Sequence, residues 1–343
     1  MITERTFFMK NYLGSLKGNF PIVVVLILCV SFSASGQSSE AKDAFSYSKK
    51  TYTYKIVENH NILADVYRNQ NAKIQPAIIW IHGGALIFGT RKWLRAEQLE
   101  LYLNAGYAVI SIDYRLAPES KLEFILNDIE DAYKWVIEKG PSLFMIDPSR
   151  IAIIGHSAGG YLALTAGFRL KPRPDALVSF YGYGDISGDW YSQPDYFYNQ
   201  SPTISRDQAH AVVGDSVISS TTTIFSANGR FQFYLYCRQQ GLWPIEVSGH
   251  DPDKELGWFS ECEPLQNVTA NYPPATLLHG KKDTDVPFEQ SAKMTDELKR
   301  HGIAHEFITN QNWGHVFDNA GVDDPTVEDA FNKILKFLEK HVK

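Results

Sequence analysis

Ser157 lies between two glycines, Gly155 and Gly159, while Asp283 and His315 follow it far along the chain. A neutral hydroxyl is a weak nucleophile until a base takes its proton. A histidine can be that base if a carboxylate fixes its tautomer and steadies its charged form. His315 is the preferred base because it sits in a polar loop, Asn312-Trp313-Gly314-His315-Val316-Phe317. His156 adjoins the serine, so its side chain should point elsewhere. His301 and His305 sit on or beside regular elements. Two acids, Asp283 and Asp285, compete for the third place. Asp283 is preferred because it lies nearer a strand end, which makes Asp285 an ordinary exposed loop acid.

The segment around Ser157, IAIIGHSAGGYLAL (151–164), says how the hydroxyl is presented. Four apolar residues end at Gly155, and a helical run begins after the serine with almost no loop. Such a corner holds the serine in a strained conformation with its hydroxyl clear of the sheet. The first N–H groups of the helix, beginning with Ala158, aim at the place where negative charge would develop. A second glycine-rich loop, His82-Gly83-Gly84-Ala85, follows another apolar run. Glycines let amides turn into a cavity, so this loop can add two donors to that of Ala158 and hold an oxyanion.

These residues can meet only if the elements carrying them share an edge. Short apolar runs recur at 77–81, 108–112, 151–154, 176–180 and 275–278, with a further strand expected at 305–308. Helical patterns lie between most of them, at 95–104, 126–138, 158–168 and 289–300. Continuous apolar strands alternating with helices predict an α/β fold whose mostly parallel sheet is covered on both faces. Two more strands, 52–57 and 62–67, precede it. A last helix should start at Asp324-Pro325 and bury Val327, Ala330, Phe331, Ile334, Leu335 and Leu338. In open parallel sheets, ligands bind beyond the carboxyl ends of the strands. The glycine loop, Ser157, Asp283 and His315 all follow such ends. The rhythm breaks at about 184–271, a stretch rich in Tyr, Trp, Gly and Pro that reads as a cap-like insertion.

The chain has 343 residues, 44% hydrophobic and 21% charged, which excludes a disordered protein and allows a large core. With a formal net charge of −6 and no basic stripe, nucleic acid is not an expected partner. No HExxH, CxxC or P-loop occurs, so no metal or cofactor is implied. Gly182-Tyr183-Gly184 does not match the dinucleotide spacing.

Lys10 and Lys17, the apolar run 22–30 and the small residues up to Gly36 read as a secretory signal peptide, 1–36, cut after Gly36. An uncleaved anchor is the alternative, though the run is short for a bilayer. Met9 is a second candidate start. Residues 37–50 read as a linker, and 51–343 as the folded domain. The expectation is a secreted or periplasmic protein without stable membrane insertion after cleavage; the sequence leaves its oligomeric state open. Cys237 and Cys262 would remain, either as a disulfide or as two buried thiols.

The sequence resembles the α/β-hydrolase fold, and within it the esterases related to hormone-sensitive lipase. The likeness rests on HGGA at 82–85, DYRLAPE at 113–119, GHSAGG at 155–160, HGKKDTDVP at 279–287 and GHVFD at 314–318. It runs from about residue 52 to the end, less the insertion. It implies a triad of Ser157, Asp283 and His315, in the order Ser…Asp…His, and oxyanion donors at Gly84, Ala85 and Ala158. Two positions depart from the pattern. Ala85 replaces a third glycine, which narrows the cavity. His156 replaces an acidic residue, which is more similar to acetyl-xylan and feruloyl-type esterases and general carboxylesterases. Asp113, Arg115 and Glu119 look like an ion-paired turn bracing the HGGA loop. The resemblance implies a serine esterase acting on short-chain acyl or carbohydrate-linked esters. Two rivals stand beside it. One is a prolyl-oligopeptidase-type peptidase, although too few residues precede the first core strand to build a propeller. The other is a non-catalytic binding protein on a hydrolase scaffold.

Overall fold

A computed structural model describes residues 46–70, 73–226 and 228–342. The expected signal peptide and the linker up to residue 45 lie outside the described residues. Strand β1 (Tyr47–Val57) forms an antiparallel hairpin with β2 (His60–Asn69), turning at Glu58 and Asn59, both at positive φ. β1 begins five residues before the expected strand, inside the stretch read as linker. Its start carries Lys49 and Lys50, which suit an unpaired sheet edge and hide the strand from a hydrophobicity pattern. Lys49 pairs across the hairpin with Asp65 at 2.8 Å.

Six further strands complete the sheet: β3 (Gln75–Ile81), β4 (Ala108–Ile112), β5 (Ile146–His156), β6 (Ala176–Phe180), β7 (Ala275–Gly280) and β8 (His305–Asn310). The order is β1-β2-β4-β3-β5-β6-β7-β8. β2 runs antiparallel to β4, and every pairing from β4 through β8 is parallel. Helices α1 (Ala96–Asn104), α2 (Leu122–Phe144) and α3 (Ala158–Arg169) supply the crossovers of the first half. Alternate strand residues feed two cores, as a sheet covered on both faces requires. Ile79, Ile81, Ile110 and Ile153 pack with residues of α2 and α3. Ile78, Trp80, Ile154 and Phe180 pack on the other side with Leu99 and Tyr102 of α1.

Among the described residues, the insertion between β6 and β7 folds into five short α-helices: α4 (Asp189–Ser192), α5 (Arg206–His210), α6 (Phe231–Gln240), α7 (Trp243–Ser248) and α8 (Leu256–Cys262). Helices of four to ten residues show little periodicity, which explains their weak sequence signal. Tyr191, Phe233, Trp243 and Phe259 are buried, and they join the core on the α2–α3 side rather than forming one of their own. Cys237 and Cys262 are separate buried thiols, not a disulfide. Helix α9 (Phe288–Arg300) follows β7, and α10 (Pro325–His341) closes the chain. Asp324 caps α10 as expected, accepting from Thr326 N at 2.8 Å. Val327, Ala330, Phe331, Ile334 and Leu338 form its buried face together with Phe337, while Leu335 is only partly covered.

Candidate active site

The corner after β5 is as sharp as the sequence predicts. Ser157 is the N-cap of α3 at φ 55° and ψ −118°, a conformation that costs a non-glycine residue energy. A Cβ on Gly155 would lie 1.9 Å from the carbonyl oxygen of Gly159, so only glycine permits strand and helix to close this tightly. The corner is locked because Ser157 N donates to Phe180 O on β6 at 2.8 Å.

Two loops, from the ends of β7 and β8, converge on the serine. His315 Nε2 lies 3.1 Å from Ser157 Oγ, and His315 Nδ1 lies 2.8 Å from Asp283 Oδ2. Asp283 is fixed in turn: its Oδ1 accepts from Asp285 N and Val286 N, both at 2.9 Å, and His279 Nε2 sits 3.1 Å from its Oδ2. Burial opposes the charge on Asp283, but His315 and His279 beside it hold its pKa far below the usual carboxylate range. Burial likewise opposes the charge on His315, yet Asp283 and Asp285 outweigh it and raise the ring to about 9.

The glycine loop passes directly beside the corner. A Cβ on Gly83 would lie 3.1 Å from that of Ser157. Gly84, Ala85 and Leu86 all adopt positive φ (106°, 55° and 63°). Gly84 O accepts from Ile87 N and Phe88 N, both at 2.9 Å, which turns the amide of Ala85 the opposite way across a trans peptide. Among the described residues, no backbone carbonyl accepts from Gly84 N or Ala85 N. Free amides beside a serine hydroxyl, with the first N–H of α3 nearby, can hold a developing oxyanion.

What keeps this strained loop in place comes largely from the insertion. Trp243 Nε1 donates to Ala85 O at 3.0 Å, Ala117 N to Leu86 O at 2.8 Å and Arg230 Nε to Ile87 O at 2.7 Å. Three successive carbonyls are thus pulled away from the site. DYRLAPE does brace the loop, but its charged residues pair outside the motif. Asp113 binds Arg91, Arg115 binds Asp128 and Glu119 binds Arg230. Arg230 and Trp243 carried no sequence signal for this role, since nothing local relates them to the loop.

Asp285 is not an ordinary exposed loop acid. Its Oδ1 accepts from Tyr198 Oη at 2.8 Å, from Tyr234 Oη and from Arg238 Nη1 at 2.9 Å. Its Oδ2 lies 3.3 Å from His315 Nε2. The Asp-x-Asp spacing was visible in the sequence, but the partners that make Asp285 a site residue come from the insertion.

His156 does point elsewhere, to the far face of the sheet. Its ring stacks on Phe180 with centroids 4.2 Å apart, and Nε2 lies 3.4 Å from Asp318 Oδ2. Asp318 also accepts from Tyr181 Oη and Gln98 Nε2, both at 2.6 Å. Burial works against its ionisation, but His156, Tyr181 and Gln98 hold it at about 2. Tyr181 in turn packs its ring against His315, with centroids 4.7 Å apart. A buried polar chain therefore runs behind the histidine loop and steadies it.

This sheet, with serine, histidine and carboxylate meeting at its carboxyl edge, defines an α/β-hydrolase. The chain belongs to the BD-FAE family, whose family model matches residues 64–298. A curated relative, the non-reducing polyketide synthase Preu6 of Preussia isomera, is 30% identical over 87% of this chain. The chain spans only 15% of the length of that relative. Among solved structures, an α/β-hydrolase superfamily protein from Enterococcus faecalis is 24% identical with a TM-score of 0.63, covering 85% of this chain and 98% of that one. A truncated carbohydrate esterase from gut microbiota is 23% identical with a TM-score of 0.62, covering 87% and 98%. These structural likenesses concern the fold.

Proposed function

We propose that the protein is a serine hydrolase of carboxylic esters, exported by the leader at residues 1–36. One observation carries this reading: Ser157 Oγ, His315 and Asp283 form a continuous chain at 3.1 Å and 2.8 Å. In it, Ser157 Oγ attacks the ester carbonyl while His315 Nε2 takes its proton. Asp283 holds the tautomer and the imidazolium. The amide N–H groups of Gly84, Ala85 and Ala158 donate to the oxyanion. His315 then protonates the leaving alcohol, which leaves an acyl ester on Ser157. Water, deprotonated by the same histidine, releases the acid and restores the serine. Each step uses groups of the chain itself and calls on no cofactor or metal. Short-chain acyl and carbohydrate-linked esters are the proposed substrates, and the structural neighbour named as a carbohydrate esterase agrees with the second class.

Hydrolysis of short p-nitrophenyl esters tests this. Turnover should vanish in Ser157→Ala while circular dichroism stays native. Undiminished turnover in that variant discards the mechanism. A fluorophosphonate probe should label Ser157; an unlabelled protein would be a binding scaffold. Activity on a proline-containing peptide chromogen with none on esters would make it a peptidase. A panel of acetylated xylan, methyl ferulate and p-nitrophenyl esters of rising chain length would place the substrate. The mass of the exported protein reports whether cleavage follows Gly36.

A further inference from the structure

His315 has an acid at each edge of its ring. Asp283 occupies the Nδ1 edge, as the proposed mechanism requires. Asp285 Oδ2 stands 3.3 Å from Nε2, the same nitrogen that faces Ser157 Oγ at 3.1 Å. Nε2 carries at most one proton, so the two neighbours make opposite demands on it. With the ring charged, Nε2–H reaches the Ser157 oxygen while the Asp285 carboxylate stands beside it at 3.3 Å, an attractive charge contact. With the ring neutral, the Nε2 lone pair accepts the serine proton but also faces the Asp285 anion, and that contact is repulsive.

We infer that Asp285 is a positioning residue for His315: a second carboxylate that favours the charged ring at the Nε2 edge and competes there with Ser157. The inference rests on the proposed role of His315 as the base. Its strength is set from the insertion. Arg238, buried among the rings of Trp190, Tyr191, Tyr198 and Tyr234, binds Asp285 at 2.9 Å and Asp195 at 2.7 Å. Tyr198 and Tyr234 donate to the same Asp285 oxygen that Arg238 holds. These three donors draw charge to Oδ1 and reduce what Oδ2 offers the histidine. Among the described residues, the other groups around the ring are Asp283 from the same loop, with His279 3.1 Å from its Oδ2, Tyr181 from the end of β6, and Asp318, which Tyr181 contacts behind it. Asp285 is the acid among these whose charge is tuned by the cap. Repacking the cap would therefore change the pH at which the base becomes available.

The experiment is a titration of the His315 Cε1–H resonance by NMR on the folded chain, assigned by its absence in His315→Gln. Asp285→Asn should lower the midpoint by about one pH unit, about a tenfold loss of proton affinity. Tyr198→Phe removes a donor from Asp285 and should move the midpoint upward. The acid limb of kcat/KM should follow the resonance in both variants. An unmoved midpoint in Asp285→Asn, with only a drop in melting temperature, would make Asp285 a mere anchor for Arg238 and overturn the inference. If Asp285→Asn does not fold, Tyr198→Phe decides alone: a rise supports the inference and an unchanged midpoint overturns it. The resonance is read without turnover, so failure of the esterase reading, seen as a Ser157 that no fluorophosphonate labels, is a separate result.

Discussion

Arg230 grips both carboxylate oxygens of Glu119 at 2.7 Å and reaches past them to the carbonyl of Ile87 in the glycine loop. The pair is nearly sealed, with side-chain exposures of 7% and 2%. Removing one partner of a buried pair strands the other charge and costs on the order of 3–5 kcal/mol. Arg230→Met should therefore lower the melting temperature sharply. Through the loosened loop, it should also lower kcat more than it raises KM. A variant with native kcat would show that the loop amides do not depend on this brace.

Trp243 tests the same loop more gently. Its ring stacks on Tyr191 with centroids 4.1 Å apart, while its N–H holds Ala85 O. Trp243→Phe keeps an aromatic ring but leaves that carbonyl without its donor. A buried polar group left unpaired costs about 1–3 kcal/mol. The expected outcome is a loss of that size in urea unfolding, together with a several-fold fall in kcat.

Asp283→Asn should leave the fold intact and the hydroxyl in place. It replaces the acceptor at His315 Nδ1 with an amide that can favour the wrong tautomer. Comparable triads lose about 10⁴-fold in kcat from this change. Steady-state kinetics on a p-nitrophenyl ester check it, and a loss below tenfold would hand the role to another acid.

The proposed base must be neutral to work, yet His315 is raised to about 9. The rate at low substrate should therefore keep climbing through pH 8 and level off above about 9, rather than near the usual histidine value of about 6.5. The stability sign is the reverse. The folded value lies above the unfolded one, so the ion pair contributes fully below about pH 6.5 and fades as pH rises through about 9. Melting curves between pH 6 and 10, compared with His315→Gln, should converge at the alkaline end.

Cys237 and Cys262 are both buried, and burial raises the thiol of Cys262 to about 12. Neither should react with a thiol reagent in the native protein, and both should react after denaturation. Reducing agents should leave the melting temperature unchanged. Peptide mapping of alkylated protein before and after unfolding reads this directly.

Local and periodic features of this protein are readable from its residues. Strand-length apolar runs placed β3 through β7 because a doubly covered strand must be apolar throughout. Gly155, Ser157 and Gly159 marked the sharp corner because few other residues fit so close a turn. Asp324 and Pro325 marked the start of α10 because an orphan N–H needs a cap. Asp283 and His315 were legible because each follows a strand end on the same edge of the sheet.

Features that depend on contact between distant segments emerge only in the folded chain. Lys49 and Lys50 hid the first residues of an edge strand. The insertion's short helices left no period to read, so its grip on the glycine loop through Arg230 and Trp243 stayed invisible. Asp285 looked like solvent-exposed punctuation beside Asp283. Only the docking of Tyr198, Tyr234 and Arg238 makes it a charge held against His315. A side chain's type sets what chemistry it can do, but its environment sets its charge and its partner, and that environment is made by residues elsewhere in the chain.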